Sequence, residues 1–313
     1  MVKELEPKDK INIIAVIVTF NREDKLRRAL ECFDKQNKPV DNFVIVNNGS
    51  TDGTQELLEA WSIVDPDRRI IINNENNLGG AGGFYIGLEQ AMSLNPDWIW
   101  VSDDDAYPEE DLFSIFQDYC ENNDTSAVSA ISSRVFSYGR TAIGYHRRIK
   151  QNFLRISELP VPLAEYEKDI FDLDLFSYCG TIIKKTSLEK AGLPVKDYFI
   201  QYDDSEHSMR IRKTGRIICI PKMKVNHNIE YDNNVGYQWK DYYLIRNRMD
   251  AIKRNFSIKY SLVIGIRRIF QIGMAWLKPD KEWARLFTKA VKDAWKGRLG
   301  IDSVYKPGWK PRN

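Results

Sequence analysis

The sequence predicts an α/β protein with a mostly parallel, doubly wound sheet, followed by a helical C-terminal region. Three observations carry this. Strand-like and helix-like segments alternate four times within about 120 residues, the rhythm of successive βα units. Each strand-like run ends in polar residues or glycine. From Trp239 onward the chain turns basic and aromatic.

The elements follow in order. "INIIAVIVTF" (Ile11–Phe20) is a continuous β-branched run, as expected of a strand buried on both faces. "REDKLRRALECFDKQ" carries Leu26, Leu30 and Phe33 at helical spacing. "NFVIVNN", "RRIIIN" and "DWIWVS" read as the next strands, with "TDGTQELLEAWSIV" and "GFYIGLEQAMSL" as the helices between them. "PEEDLFSIFQDYCEN" reads as a helix with Pro108 and two carboxylates in its first turn. From Arg134 to Phe176 the rhythm is lost, which suggests an insertion shaping a pocket. "FSYCGTIIKK" resumes as a strand, "DDSEHSMRIRKTG" as a short helix closed by Gly215, and "RIICIP" as another buried strand. Ligands of such sheets bind beyond the carboxyl ends of the strands. Here those ends carry Thr19-Phe20-Asn21, Asn47 to Ser50, Asn73 to Gly83 and Ser102 to Asp105.

A length of 313 residues suggests about two domains or one with a substantial extension, and 43% hydrophobic with 29% charged residues is ordinary for a globular protein with a real core. The longest unbroken apolar run, Ile13–Val18, is far too short to span a membrane, and no secretory signal pattern opens the chain. Cys32, Cys120, Cys179 and Cys219 lack C-x-x-C spacing and read as buried thiols of a reducing, cytoplasmic compartment.

Four places carry chemistry. Asp103, Asp104 and Asp105 are adjacent carboxylates that repel one another, so they form either a solvated acidic turn or a site for a hard cation, in which Asp103 and Asp105 face one ion. "NNLGGAGGF" (Asn76–Phe84) places four glycines before a helix, either for close packing or for the approach of a diphosphate. It lacks both the G-x-G-x-x-G form and the P-loop lysine. Asp203-Asp204 begins a helix, where aspartate caps well or serves as a base. His227 follows a strand and reads as a structural histidine or a ligand.

In order, "VIVTFNR", "VNNGSTDGT", "NLGGAGGF", "SDDDAYPE", "FIQYDDSEHSMRIRKTG" and "VNH" resemble the inverting family 2 glycosyltransferases, and within them the galactofuranosyltransferases. The resemblance covers roughly Ile11 to His227. It implies a GT-A fold, Rossmann-like and mostly parallel with flanking helices, over residues 1–238, with a helical region over 239–313. It implies that Thr19, Phe20, Asn21, Arg22, Asn48, Asp52, Gly79, Gly80 and Asp104 bind a nucleotide-sugar donor. Asn48 stands where many relatives carry aspartate against uracil, which leaves uridine and thymidine both open. By the same resemblance, Asp103, Asp105 and His227 hold Mn²⁺ or Mg²⁺, Asp204 is the general base, and Tyr178, Asp203 and Glu206 meet the acceptor. The implied reaction moves a hexose, foremost galactofuranose from UDP-galactofuranose, onto a lipid-linked or surface-polysaccharide acceptor. Rhamnose or another UDP-hexose is the alternative donor, and a non-catalytic nucleotide-sugar-binding or membrane-binding protein is the alternative of another class.

From Trp239 to Asn313 there are 18 Lys+Arg against 6 Asp+Glu, leaving 28 against 38 for the rest of the chain. Five of the eight tryptophans also fall there. The segments "DYYLIRNRMDAIKRNFSIKYSLVIGIRRIFQIGMAWL" and "KEWARLFTKAVKDAWKGRLG" read as amphipathic helices with cationic faces. Such faces suit an anionic membrane surface, or else their apolar sides pack on the body. No nucleic-acid-binding module is recognisable, so a nucleic-acid partner is not expected.

Overall fold

The structure, a computed structural model, describes residues 10–228 and 236–311. Its first half alternates as expected: β1 (Ile13–Thr19), α1 (Glu23–Asp34), β2 (Asn42–Asn47), α2 (Thr54–Ser62), β3 (Arg69–Asn73), α3 (Gly79–Ser93) and β4 (Trp98–Asp103). Then come β5 (Tyr107–Pro108), α4 (Leu112–Asn122), β6 (Val128–Ser137), β7 (Arg140–Thr141), β8 (Arg147–Gln151), β9 (Ile156–Pro160) and β10 (Phe171–Leu173). β11 (Cys179–Lys184), α5 (Lys185–Ala191), α6 (Asp203–Ile211) and β12 (Arg216–Asn226) follow, and α7 (Trp239–Asn255), α8 (Ile258–Leu277) and α9 (Lys281–Lys296) end the chain.

The main sheet runs β10-β12-β6-β11-β4-β1-β2-β3. β3, β2, β1 and β4 are parallel, β11 is antiparallel to both β4 and β6, and β12 is again parallel to β6. The sheet is therefore mixed, and the C-terminal ends of β1–β4, β6 and β12 share one edge. Registers make that edge exact to a residue: Thr19 pairs with Asn47, Asn47 with Asn73, and Val18 with Asp103. One apolar layer packs under α1 and α4, the other under α3 and α6. Burial of β1 is complete over its length, which is why its run is apolar without alternation.

Three local expectations are corrected. The glycines at 79–83 do not precede α3; they form its first turn. A Cβ on Gly83 would lie 2.5 Å from Val18 Cγ1 and 2.9 Å from Asn48 Nδ2, so this glycine lets the helix sit directly on β1. Pro108 does not open α4, because Tyr107–Pro108 pairs with Asn226–Val225 of β12 before the helix begins at Leu112. Arg134 to Ser137 complete β6, a central strand whose pattern is blurred by buried serines. Two of them are satisfied internally, Ser132 Oγ by Thr181 Oγ1 at 2.9 Å and Ser129 Oγ by Thr214 Oγ1 at 2.9 Å. The irregular segment is the stretch after it, built around the separate β8–β9 hairpin. The four cysteines are free thiols, three buried and Cys32 half-buried.

The C-terminal helices differ in how their apolar sides are covered. Leu286 and Ala290 of α9 are buried against Tyr242 and Tyr243 of α7, and Phe287 and Val291 against Met249. α8 instead exposes Ile258, Leu262, Ile266, Ile269, Phe270 and Leu277, a stripe at helical spacing. No helix among the described residues is long and apolar enough to cross a membrane.

Replacing Gly83 with alanine is expected to lower stability by about 1–3 kcal/mol through overpacking against β1. A fall in thermal midpoint relative to Gly80→Ala, whose Cβ meets nothing within 4 Å, checks this.

Candidate active site

Asp103 ends β4, and Asp104 and Asp105 occupy the turn that follows. The pairing of β5 with β12 pins that turn beside the end of β12, which delivers His227. One ligand atom each from Asp103, Asp105 and His227 lies within 4.8 Å of the others. His227 Nε2 is 2.8 Å from Asp105 Oδ1, and Tyr145 Oη is 2.8 Å from Nδ1, which orients the ring. Two carboxylates and an imidazole suit Mn²⁺ or Mg²⁺, and the cluster is compact enough to surround one such ion.

The electrostatics fit a cation. Burial, with Asp105 and Asp104 adding repulsion, pushes the Asp103 carboxyl up to about 8. Burial also raises Asp104. Asp105 is buried too, but His227, Lys25 and Arg22 together hold it below the usual carboxylate range. Arg22 Nη1 lies 2.8 Å from Asp105 Oδ2 and 3.2 Å from Asp104 Oδ1, and Lys25 Nζ lies 2.9 Å from Asp105 Oδ2. Both cations come from the start of α1, so the β1–α1 turn aims positive charge at the triplet.

Around it, the strand ends form a hydrogen-bonded frame. Asn21, at φ +51°, accepts from the Thr51 N–H at 2.7 Å, which ties the β1 exit to the β2 exit. Asp52 accepts from the N–H groups of Glu23 and Thr54, joining the starts of α1 and α2. Asn48 is buried; it donates to the Gly79 carbonyl at 2.9 Å and accepts from Asn74 Nδ2 at 2.9 Å. An aspartate there could not donate to that carbonyl, so the asparagine fixes the start of α3. Gly79 has φ +73°, and a Cβ would fall 2.0 Å from the Phe199 carbonyl oxygen, whereas Gly80 is open. Thr19 is buried and Phe20 exposed at the β1 exit.

The second acidic group lies at the start of α6. Asp204 Oδ1 accepts from Ser205 N at 2.5 Å and Ser205 Oγ at 2.9 Å, and Asp203 is buried beside it. Burial and the Asp204 charge lift Asp203 to about 7, and burial raises Asp204 as well. The thiol of Cys179, at the start of β11, is pushed up by burial and then by Asp103, Asp105 and Asp204. The two acidic groups thus flank one strand end.

Two residues expected at the acceptor side face inwards. Glu206 is buried in a fork with Arg210, at 2.8 and 3.0 Å, and accepts from Asn255 at 3.0 Å. Tyr178 is 4% exposed, with its ring against Phe84 at 4.4 Å. His207 Nε2 donates to the Gly192 carbonyl, so Nδ1 accepts the Tyr178 hydroxyl proton at 2.5 Å. Both residues anchor α6.

The turn before α6 is strained: Phe199, Gln201 and Tyr202 all have φ between +66° and +72°. Left-handed non-glycine residues cost on the order of 1–3 kcal/mol each and persist only when their surroundings hold them. Asn247 of α7 does so, its Nδ2 donating to the carbonyls of Tyr198, Ile200 and Gln201 at 3.1, 3.0 and 2.7 Å. Arg246, fully buried, adds a bond to Tyr198 O at 3.1 Å. Sequence reading missed this pair, whose signal was an adjacent Arg-Asn inside an amphipathic helix.

Residues 14–188 match the family described as Glycosyl transferase family 2. The chain belongs to that family. Among its relatives, Galactofuranosyltransferase GlfT1 of Mycolicibacterium smegmatis is 26% identical over 204 residues, 65% of this chain and 66% of that protein. The match thus spans just under two thirds of that relative's length. The dTDP-rhamnosyl transferase RfbF of Shigella flexneri is 25% identical over 274 residues, 82% of this chain and 84% of that protein. Among solved structures, the mannosyltransferase PcManGT from Pyrobaculum calidifontis, in complex with GDP-Man and Mn²⁺, aligns with a TM-score of 0.56 at 17% identity, over 93% of this chain and 77% of that one. S. aureus TarS 1-349 in complex with UDP-GlcNAc aligns with a TM-score of 0.58 at 15% identity, over 91% and 81%. These likenesses establish the GT-A fold of this family 2 glycosyltransferase.

Asn247→Ala would leave the part-buried carbonyls of Ile200 and Gln201 without their donor, at about 1–3 kcal/mol each, while the Tyr198 carbonyl keeps Arg246. The expected outcome is a lower thermal midpoint and at least a tenfold slower transfer, with nucleotide binding retained because the β1–β4 frame is untouched. Calorimetry and initial rates on one preparation check it.

Proposed function

We propose that this glycosyltransferase is a metal-dependent inverting hexosyltransferase. In this reading it moves galactofuranose from UDP-galactofuranose onto a lipid-linked or cell-surface polysaccharide acceptor, at the cytoplasmic face of an anionic membrane. The observation that carries it is the compact Asp103–Asp105–His227 cluster at the sheet edge, with a second, separate acid pair at Asp203–Asp204. The galactofuranosyltransferase relatives support the sugar, and the exposed stripe of α8 supports the membrane. Rhamnose from a dTDP donor is the second reading, supported by the longer match to RfbF.

A divalent cation held by Asp103, Asp105 and His227 would supply neutralising charge for the departing nucleoside diphosphate. Arg22 and Lys25 are placed to add positive charge at the same edge. Thr19, Phe20, Asn21, Asn48, Asp52, Gly79, Gly80 and Asp104 would form the donor side, some by contact and Asn48, Asp52 and Gly79 by framing it. Asp204 would take the proton of the acceptor hydroxyl as the new glycosidic bond forms and the bond to the diphosphate breaks, the diphosphate leaving with the electron pair. A base cannot also be a metal ligand on the leaving-group side, and Asp204 satisfies that separation. Asp203 beside it would tune its proton affinity, while Tyr178 and Glu206 would set the position of α6. Residues 1–238 would form the catalytic domain, with the stretch 134–176, which holds the β8–β9 hairpin, on the acceptor side, and residues 239–313 the membrane-proximal region.

Asp204→Asn is expected to cut transfer by about 10²–10⁴-fold while nucleotide affinity stays unchanged; rates near wild type would remove Asp204 from the base role. The raised carboxyls also give a pH signature. The acid pair, with Asp203 held up to about 7, takes on a proton below that value, so transfer rises as pH climbs through neutrality. The stability effect runs the other way, since a raised carboxyl favours the folded protein while protonated and loses that contribution between its ordinary value and about 7. Asp203→Asn removes the neighbouring charge and is expected to shift the acid limb of the rate profile to lower pH.

A further inference from the structure

Between α7, α8 and the β8–β9 hairpin lies a cavity of about 160 Å³ with four arginines in its wall: Arg155 from the hairpin, Arg248 from α7, and Arg267 and Arg268 from α8. Gln271 and the apolar Ile264 stand beside them. The space is well below the ~300–1,000 Å³ of sites for drug-sized organic ligands, and suits a small ionic group. No carboxylate lines it among the described residues. Glu158, the acid nearest to it in the bonding network, is taken by Arg147 at 2.7 Å, by Arg248 at 3.0 Å and by the Tyr202 hydroxyl. Arg268 donates to Gln271 Oε1 at 2.9 Å, a neutral partner. Its guanidinium is pushed below its ordinary value by burial and by Arg248 and Arg267. Like charges gathered in a partly enclosed space repel unless an anion joins them.

The cavity also lies between two surfaces. On one side is the apolar patch: Phe153 and Leu154 immediately before Arg155, and Ile258, Leu262 and Ile266 on α8, all exposed. Lys259 Nζ sits 5.3 Å from the Phe153 ring centre, which joins hairpin tip to helix. On the other side a chain of direct contacts runs to the acid pair. Arg248 bonds Glu158, Glu158 bonds Arg147, Arg147 bonds Ser205 Oγ at 2.6 Å, and Ser205 Oγ bonds Asp204.

We propose that Arg155, Arg248, Arg267 and Arg268 form a binding pocket for a phosphoester anion, the phosphate or diphosphate that joins glycan to lipid in the acceptor. Guanidinium groups pair with phosphate oxygens in bidentate geometry, which makes a cluster of arginines more selective for them than lysines would be. With the anion in the cavity, the lipid lies along the apolar patch and the glycan extends towards Asp204. The ligand class rests on the cavity; its assignment to the acceptor rests on the glycosyltransferase reading above. A bulk lipid headgroup offers the same chemistry and is the competing source.

The test uses the full chain, titrated calorimetrically with inorganic pyrophosphate in EDTA, as wild type and as Arg155→Gln/Arg267→Gln. Both residues are exposed, so folding is spared, and UDP affinity with Mn²⁺ is measured on each protein as a separate control. The expected result is at least about a tenfold loss of pyrophosphate affinity in the double variant, with UDP affinity and thermal midpoint unchanged. Equal pyrophosphate binding by both proteins, or none by wild type, overturns the pocket. Absence of UDP binding would strike the transferase reading instead, leaving the two failures distinct. Flotation with phosphatidylglycerol vesicles separates the sources. Displacement from vesicles by pyrophosphate assigns the pocket to bulk headgroups and overturns the acceptor assignment, whereas vesicle binding that survives saturating pyrophosphate supports it.

Discussion

Three carboxylates crowd the end of one buried strand, and the geometry of the sheet edge answers their repulsion. Asp105 is the meeting point: Arg22, Lys25 and His227 all contact its carboxylate. To bring those groups there, α1 must begin directly after β1, and β12 must run on past Pro221 to pair with Tyr107–Pro108. The same pairing postpones α4 to Leu112. Even so, burial, with Asp105 and Asp104 beside it, pushes the Asp103 carboxyl up to about 8.

The second constraint is the strained turn ahead of α6. Its three left-handed residues place Asp203 and Asp204 at a helix start facing the same strand end as the triplet, and the strain is held by the side chains of Arg246 and Asn247. α7 is therefore part of the site's support and not an appendage. The helices after it divide the remaining work. α9 covers α7, and α8 is left with an apolar stripe outward and an arginine-lined cavity inward. Acidic body and basic end thus meet at Glu158, which holds Arg147 from one and Arg248 from the other.

Much of this was legible in the sequence because burial on both faces writes itself as unbroken β-branched runs. β1, β2 and β4 are such runs, and their polar exits mark the edge where the site forms. Asp103, Asp105 and His227 were legible as a set only through their resemblance to a family, since a lone histidine has no signal of its own. Other features were hidden for physical reasons. β6 buries serines, Ser132 bonded to Thr181 among them, and serines read as surface in a sequence. Gly83 and Gly87 of α3 serve helix-on-strand packing, and the glycine pattern that fits a phosphate fits a close contact equally well. Glu206 and Tyr178 sit in functional-looking motifs, yet the structure turns both inwards, Glu206 onto Arg210 and Tyr178 onto His207, partners that lie on α6 and that no local pattern singles out.

The most direct measurement is nucleotide release from a panel of UDP- and dTDP-sugars, with the acceptor fraction present, in Mn²⁺ and then in EDTA. The expected result is release that requires the metal and favours UDP-galactofuranose. Release that proceeds equally well in EDTA would contradict a metal-holding role for Asp103, Asp105 and His227.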